Sequence, residues 1–321
     1  MRVTVLALEG AFDTGLAVFL DTLGTANELA ALQGVKSPPF DVRLVGVRPQ
    51  VRTAMGMSVA IEAADTPPRP DWVVVPALNA KQPERLVEAL GRDDVREAVG
   101  RVRAWHDAGL GIAAACIGTF LLAEAGILDG REATTTWSLA PLFRRRYPKV
   151  RLDDTRMIIA SGRVVTAGAA MGHLDLALWL VRQASPEMAA LVARMLLIDS
   201  RPSQAKYIIP DFLAHADPMV ERFERWARVN LARGFSLQAA ANALAVSPRT
   251  LQRRVEAVLG RSPLAFFQDM RVERAQHLIS LGYDLEQIAE EIGYAESATL
   301  RTLLRRRLGR GVRQLRAELR G

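Results

Sequence analysis

The sequence predicts a two-domain protein in which an α/β domain with a parallel sheet precedes an all-α domain with two helix-turn-helix motifs. Three observations predict this fold class. Short β-rich runs alternate with helical periodicity over the first 200 residues, no β-rich run follows Met219, and one helical unit is repeated in the last third of the chain. We therefore expect domains at residues 1–200 and 218–321, joined by a proline-interrupted linker at residues 201–217.

Strand–helix alternation defines the predicted first domain. Four apolar runs predict buried parallel strands, at Val3–Leu8, Phe40–Val47, Trp72–Val75 and Gly111–Ala115. Helical periodicity between these runs predicts helices at Gly15–Leu32, Pro83–Leu90 and Val95–Ala108. Further helices are predicted at Ile117–Ala125, Gly172–Gln183 and Pro186–Leu197, and short strands at Ala133–Thr135, Val150–Asp153, Met157–Ala160 and Arg163–Thr166. This order implies an open sheet with helices on both faces.

An internal repeat defines the predicted second domain. The segment Ser236–Leu244 matches Asp284–Ile292, and the run LQRRVEAVLG from Leu251 matches LRTLLRRRLG from Leu300. Each copy has the pattern of a short helix, a tight turn and a second helix with arginines on its outer face, which is the helix-turn-helix layout. Each copy begins with a residue suited to cap a helix, and a long helix at Pro263–Leu281 would join the copies.

The charge is divided unequally between the two domains. The chain has 42 Lys+Arg and 35 Asp+Glu, a net charge of +7. Residues 218–321 hold 18 Arg, no Lys and 11 Asp+Glu, whereas the first 217 residues balance 24 basic against 24 acidic side chains. All of the excess positive charge therefore belongs to the small helical domain, which indicates a polyanionic partner for it.

Composition excludes several kinds of site. Cys116 is the single cysteine, so no intrachain disulfide and no cysteine-built zinc site can form, and the four histidines show no metal-ligand spacing. No apolar stretch reaches about 18 residues without charge, and the apolar run at the N-terminus is too short for a secretory signal. We expect a cytoplasmic protein without a membrane segment, metal or cofactor.

The second helix of each helix-turn-helix unit is expected to enter a major groove by its N-terminal turns. The outward-facing residues expected to contact DNA are Arg249, Thr250, Gln252 and Arg253 in the first copy, and Ser297, Ala298, Thr299, Arg301 and Thr302 in the second. Arg and Gln are the residue types that hydrogen-bond guanine and adenine edges with two bonds. Arg305 and Arg306, further along the second helix, are expected to contact phosphates or to form a solvated face.

This region resembles the AraC/XylS family of bacterial transcription regulators. The resemblance is carried by Leu237–Gly260, by PLAFF from Pro263, by RVERA from Arg271 and by IGY at Ile292–Tyr294. It implies that both recognition helices read successive major grooves on one face of DNA. Transfer by position puts base contacts on Arg249, Gln252 and Arg253, and then on Ala298, Thr299 and Thr302. The chain departs from the family at Val312, where a proline is usual.

The second functional pattern is a strand that runs into a helix through a tight turn at Cys116. Ala114 and Gly118, two residues before and after the cysteine, are the small residues that a nucleophile elbow needs. The N-terminus of the following helix would lower the pKa of the thiol and favour the thiolate. The alternative interpretation is a buried cysteine at the end of a strand.

The longer stretch Ala115–Trp137 resembles the class I glutamine amidotransferase-like, PfpI-type domain, which is flavodoxin-like and is fused to an AraC-type C-terminus in the GlxA-like regulators. Enzymatic relatives commonly have a histidine where this chain has Thr136, and many have an acid in the first helix where it has Gly15. The resemblance therefore implies the elbow without its usual partners.

Other residues remain as substitutes for the missing partners. Asp13 and Asp21 lie near the position of the absent acid, and His106 and His173 are the remaining candidate bases. His173 follows GAAMG at a predicted helix start, where a turn can bind a ligand.

These patterns lead to one expected function and two alternatives. We expect a sequence-specific DNA-binding transcription regulator, with activation as its output, whose first domain binds a small effector and dimerises. The expected effector-binding residues are Cys116, Ile117, Gly118, Asp13 and His173. The expected partners are double-stranded DNA, the effector and a second copy, with RNA polymerase as a further candidate. The first alternative is a thiol-dependent amidase, hydratase or protease-like enzyme that uses Cys116, and the second is redox sensing by the same thiol.

Overall fold

Two units of different secondary structure make up the chain in the computed structural model, Met1–Tyr207 and Ile208–Gly321. The structure describes residues 1–35, 39–63, 69–209, 212–213, 217–308 and 311–320. The predicted linker at 201–217 includes 210–211 and 214–216, which lie outside the described residues. Its first residues, 201–207, belong to the first unit.

Parallel strands form the centre of the first unit. The strands are β1 (Arg2–Leu6), β2 (Asp41–Gly46), β3 (Gln50–Arg52), β4 (Ser58–Ala60), β5 (Glu62–Ala63), β6 (Trp72–Val75), β7 (Gly111–Ala115), β8 (Glu132–Ala133), β9 (Arg151–Leu152), β10 (Ile158–Ser161) and β11 (Val164–Ala167). Within the described residues, a seven-stranded sheet has the order β10-β11-β7-β6-β1-β2-β5. Its neighbours pair in parallel, except that β10 is antiparallel to β11. The carboxyl ends of β1, β6, β7 and β11 therefore meet at one edge of the sheet.

Helices cover both faces of this sheet, as the alternation predicts. They are α1 (Asp13–Leu32), α2 (Pro83–Leu90), α3 (Asp93–Asp107), α4 (Gly118–Glu124), α5 (Ala140–Arg146), α6 (Gly172–Ala184) and α7 (Pro186–Met195). Successive residues of β6 point to opposite faces of the sheet. Val73 and Val75 pack with α2–α4 on one face, whereas Val74 packs with α1, α6 and α7 on the other. The predicted open α/β sheet is confirmed.

Short elements between β2 and β6 were not predicted. β3 and β4 form an antiparallel hairpin, and the turn that follows β3 covers the start of α1, because the Ala54 amide donates to the carbonyl of Ala11 at 2.9 Å. The strands of two or three residues are too short for an alternating pattern to be distinguished from a loop.

The second unit is helical throughout its described residues. Its helices are α8 (Pro218–Val229), α9 (Leu237–Ala243), α10 (Pro248–Leu259), α11 (Pro263–Ser280), α12 (Leu285–Glu291), α13 (Ser297–Leu308) and α14 (Val312–Arg320). The predicted caps are confirmed: Ser236 accepts from the Ala239 amide, and Asp284 forms a capping box with Gln287. The helix-turn-helix units are thus α9–α10 and α12–α13, joined by α11.

A buried arginine ties the two helix-turn-helix units together. Arg271, on α11, is 5% exposed and donates from Nε and Nη2 to the carbonyl of Leu231, at 3.1 and 2.7 Å. Its guanidinium lies 4.9 Å from the ring centre of Phe267 and 4.6 Å from that of Tyr294. Leu231 precedes the first unit and Tyr294 lies in the turn of the second, so one side chain of α11 contacts the entry to both.

No described helix combines the length and the apolar composition that a bilayer span requires.

Candidate functional site

The turn at Cys116 has the geometry of a nucleophile elbow. Cys116 directly follows β7 and has φ 55°, in the left-handed region that non-glycine residues rarely occupy. A Cβ atom on Gly118 would collide with the carbonyl oxygens of Val75 and Pro76. Glycine is therefore required two residues after the cysteine, which is the physical reason for the small residue that the sequence pattern identified.

The environment of the thiol differs from the expectation. Cys116 is 7% exposed, and burial raises the pKa of its thiol to about 11, although hydrogen bonds from the Ile117 backbone and the Thr136 side chain oppose the shift. The expected lowering of the pKa by the helix N-terminus is wrong, because desolvation of the thiolate outweighs it. At neutral pH the group is a protonated thiol.

His173 is held in a neutral state away from base chemistry. The ring is completely buried; Nδ1 donates to the carbonyl of Ala170 at 2.7 Å, and Nε2 accepts from the Ala77 amide at 3.1 Å. Burial lowers the pKa of the imidazole to about 4. Because both nitrogens are engaged, His173 fixes the ends of β6 and β11 relative to each other and has no free lone pair for the thiol.

Gly15 packs directly against the His173 ring. A Cβ at Gly15 would lie 2.7 Å from Cε1 of that ring, so the position where relatives have an acid cannot hold a side chain here without displacing the imidazole. Asp13 is the first residue of α1, two residues before Gly15. Its Oδ2 accepts a hydrogen bond from the Met55 amide at 3.1 Å, and its Oδ1 is buried without a hydrogen-bond partner among the described residues. Asp13 is thus a carboxylate at this edge of the sheet with one oxygen that no described donor engages.

Three successive threonines form a wall beside the elbow. Thr135 donates from Oγ1 to the carbonyl of Cys116 at 2.7 Å, and the side chain of Thr136, which the resemblance aligns with the histidine of enzymatic relatives, hydrogen-bonds the thiol. Gln204 is completely buried and donates from Nε2 to the carbonyl of Thr135 at 2.9 Å and to Oγ1 of Thr134 at 3.2 Å. A residue of the predicted linker therefore supports the wall of the cysteine turn, which the sequence did not indicate.

The remaining histidine named as a candidate base does not serve the thiol. His106 lies at the end of α3, where its Nδ1 faces the carboxylate of Asp107 at 3.4 Å. No cluster of three or more His, Cys, Asp or Glu suited to a metal ion occurs among the described residues.

We expect Cys116 to react slowly with iodoacetamide at pH 7.5, with a rate about 100-fold below that of an unburied thiol, because a pKa two units higher leaves about 100-fold less thiolate. The rate should rise about tenfold per pH unit towards pH 11. Mass spectrometry of the labelled protein measures the rate, and the same protein in guanidinium is the control, since it has one cysteine. Rapid labelling with a midpoint below pH 8 would contradict the buried thiol and favour the enzyme alternative.

The first recognition helix presents the predicted polar face. Arg249, Gln252 and Arg253 are exposed on α10, while Leu251 and Val255 are buried on the opposite side. Thr250 is half-buried, and its hydroxyl lies 2.8 Å from that of Ser247, the N-cap of α10. Thr250 therefore belongs to the capping structure more than to the free outer face.

The second recognition helix has smaller side chains on its leading edge. Ala298, Thr299, Arg301 and Thr302 are exposed on α13, as are Arg305 and Arg306. Ser297 is half-buried and donates to Glu286 at 3.0 Å, and the hydroxyl of Thr302 donates to the carbonyl of Ala298 at 3.0 Å. The second helix thus offers few free donors near its start.

The arginines of the second unit divide into two groups. One group is paired within the described structure: Arg254 with Asp217 at 2.6 Å, Arg261 and Arg307 with Asp269 at 2.7 and 2.9 Å, and Arg274 with Glu291. The other group makes no ion pair with a described residue, and it includes Arg249, Arg253, Arg301, Arg305 and Arg306. These five guanidinium groups lie on the two recognition helices.

Family comparisons agree with both units. A model of the DJ-1/PfpI family matches residues 1–183, and a model described as a helix-turn-helix domain matches residues 240–318. The first match covers more than half of the chain.

Curated relatives match a large part of the chain. The chain is 25% identical over 211 residues to the HTH-type transcriptional regulator GbdR of Pseudomonas aeruginosa strain UCBPP-PA14. The matched region covers 64% of this chain and 57% of that protein. It is 26% identical over 206 residues to the HTH-type transcriptional regulator GlxA of Rhizobium meliloti strain 1021. Here the matched region covers 59% of this chain and 60% of that protein. The chain therefore spans less than two thirds of the length of either relative.

Among solved structures, the chain is similar to an AraC family transcriptional regulator from Pseudomonas putida, with a TM-score of 0.50 and 19% identity over 61% of this chain and 98% of that one. At this identity the likeness concerns the fold alone.

Proposed function

The chain belongs to the DJ-1/PfpI family, and from this membership together with its C-terminal AraC-type helix-turn-helix domain we propose that it is a sequence-specific DNA-binding transcription regulator. One observation carries the proposal. The two recognition helices, α10 and α13, expose Arg249, Arg253, Arg301, Arg305 and Arg306, which make no ion pair with a described acidic residue. Such groups are stabilised by phosphates and base edges.

The proposed base contacts follow from exposure and residue type. Arg249 and Arg253 hydrogen-bond guanine edges, and Gln252, whose Nε2 donates to Glu256 at 3.1 Å in the free protein, exchanges that bond for an adenine edge. On α13, Ala298, Thr299 and Thr302 make apolar and hydroxyl contacts. Arg305 and Arg306 contact phosphates.

The first unit serves, in this proposal, as an effector-binding and dimerising module. The effector binds at the carboxyl edge of the sheet, where ligands of open α/β sheets bind, beside Cys116, Ile117 and Gly118. Asp13 supplies an acceptor, because its Oδ1 has no described partner, whereas His173, completely buried and bonded at both nitrogens, supports the edge from beneath. The effector must favour one state of the DNA-binding unit over another to act as a signal.

The residues around Cys116, at the carboxyl edge of the sheet, favour a regulatory role over a catalytic one. Nucleophilic catalysis by a thiol needs a base within hydrogen-bond reach. Here Thr136 stands in the histidine position, His173 is doubly bonded, and Gly15 leaves no space for an acid. We therefore propose that the chain is not an enzyme. A protein that reads DNA would act in the cytoplasm, with activation through RNA polymerase as its output.

Substituting Arg253 with alanine should reduce affinity for a selected operator by about 1–3 kcal/mol and relax the preference at one base pair, because a bidentate contact to guanine is lost. The operator is first selected from a random duplex library with the full chain, and binding is measured by fluorescence anisotropy. Arg225→Ala is the control, since Arg225 is 67% exposed and pairs with Glu221 on α8.

The proposal of sequence-specific binding fails if the full chain selects no preferred sequence and its affinity does not fall as salt rises. An equal loss for every duplex in the Arg253 variant would instead assign that side chain to the DNA backbone.

A further inference from the structure

The second recognition helix is a ridge between two grooves. One groove, of about 880 Å³, lies between α13 and the start of α11, and Ala298 and Thr299 face it. The other, of about 840 Å³, lies between α13 and α14, and Arg301 and Arg305 face it. Thr302 and Arg306 border both grooves and therefore form the crest. A helix seated in a major groove has one sugar–phosphate strand on each of its flanks.

The groove between α13 and α14, which we term the arginine groove, has an unusual lining. Five guanidinium groups border it: Arg301, Arg305 and Arg306 from α13, and Arg313 and Arg316 from α14. No acidic side chain lines it among the residues described there. Like charges this dense repel one another in the free protein, so the arrangement is relieved by a polyanion.

The two arginines of α14 are not engaged by acidic partners within the described residues. Arg313 is exposed, and Arg316 is half-buried and donates from Nη2 to the carbonyl of Tyr283 at 3.1 Å. The Nε of Arg316 is buried and has no hydrogen-bond partner among the described residues. The bond to Tyr283 fixes the guanidinium at the groove while leaving donors for a ligand.

We propose that the arginine groove holds one sugar–phosphate strand of the DNA that α13 reads, with Arg313 and Arg316 of α14 as phosphate ligands. The inference rests on the proposed DNA-binding function and extends it to a helix outside both helix-turn-helix units. An acidic protein surface is disfavoured as the occupant, because Thr302 and Arg306 border both grooves, and DNA in contact with the crest of α13 reaches the arginine groove at the same time.

The test compares the full chain with the variants Arg313→Gln, Arg316→Gln and the double variant, on the selected operator and on a scrambled duplex, over a range of salt concentrations. Each phosphate contact contributes about −0.9 to the slope of log K against log salt. The double variant should therefore lose about two units of slope. Its affinity should fall about 10–30-fold near physiological salt on both duplexes, with the preference between them unchanged.

Two matched variants separate charge from structure. Arg222→Gln removes the same charge from an exposed residue of α8 that borders neither groove, and its slope should equal that of the unmodified chain. Arg316→Lys keeps the charge and should restore most of the slope. Circular dichroism melting shows whether α14 still folds in each variant.

An unchanged slope in the double variant overturns the inference, while the proposed function stands as long as the full chain still prefers its operator. A loss confined to the operator would mean base reading instead of strand binding, and it also overturns the inference. So would unaltered DNA affinity accompanied by lost transcription activation, because that result would place RNA polymerase in the groove. If the unmodified chain itself shows no preference, the proposed function fails instead.

Discussion

Replacing Arg271 with methionine should lower the free energy of unfolding of the second unit by about 3 kcal/mol and reduce operator affinity by at least about tenfold. Two charge-assisted hydrogen bonds to the carbonyl of Leu231 are lost, and that carbonyl loses a partner in a buried place. The contacts of the guanidinium with Phe267 and Tyr294 are lost as well. Methionine fills much of the volume, so the effect reports polar contacts more than a cavity.

Hydrogen exchange followed by mass spectrometry measures this effect locally. Protection should fall both around Leu231 and around Tyr294, which are far apart in sequence and are both contacted by the arginine. Arg274→Met is the control on the same helix, because Arg274 is 42% exposed and its pair with Glu291 should contribute less than about 1 kcal/mol. Equal protection in both variants would show that Arg271 does not join the two units.

Replacing Gly118 with alanine should destabilise the first unit by more than about 3 kcal/mol, because the added Cβ meets two backbone oxygens that cannot rotate away. The clash with Val75 and Pro76 would push α4 from the end of β6. The strained φ of Cys116 would relax as the turn opens, and the thiol would become more exposed.

Thermal denaturation and the rate of thiol labelling together test the Gly118 prediction. The control is Gly100→Ala on the exposed side of α3, where no atom lies within 4 Å of the added Cβ. That change should be neutral or stabilising by up to about 1 kcal/mol, because alanine favours the helix. A Gly118 variant with an unchanged melting temperature would mean that the elbow is less rigid than its geometry indicates.

Local patterns were sufficient to predict the fold class and the main elements, but not the shortest strands. Strands β1, β2, β6 and β7 are continuous apolar runs, and the repeat of the second domain marks its helices together with their caps at Ser236 and Asp284. The hairpin β3–β4 was missed because its strands hold three residues each. Periodicity needs more residues than these strands contain.

Properties of the candidate site depended on contacts between distant segments. The elbow was predictable because the small neighbours of Cys116 are adjacent in sequence, but the pKa of its thiol depends on burial by surrounding elements. Gly15 and His173 are far apart in the chain, so their packing gives no sequence signal. Gln204 lay in a segment interrupted by prolines, and its role as a buried donor could be seen only in the structure.

The unequal faces of the two recognition helices give the DNA target a direction. In the proposed base contacts, the first helix supplies arginine and glutamine, and the second supplies alanine and threonine. A site read by one chain therefore has no internal dyad, in contrast to the palindromes that mirror two identical subunits. Inverting such a site within a promoter would turn α14 towards the opposite side of the operator. Orientation, as well as sequence, is therefore a variable that a promoter can use with this protein.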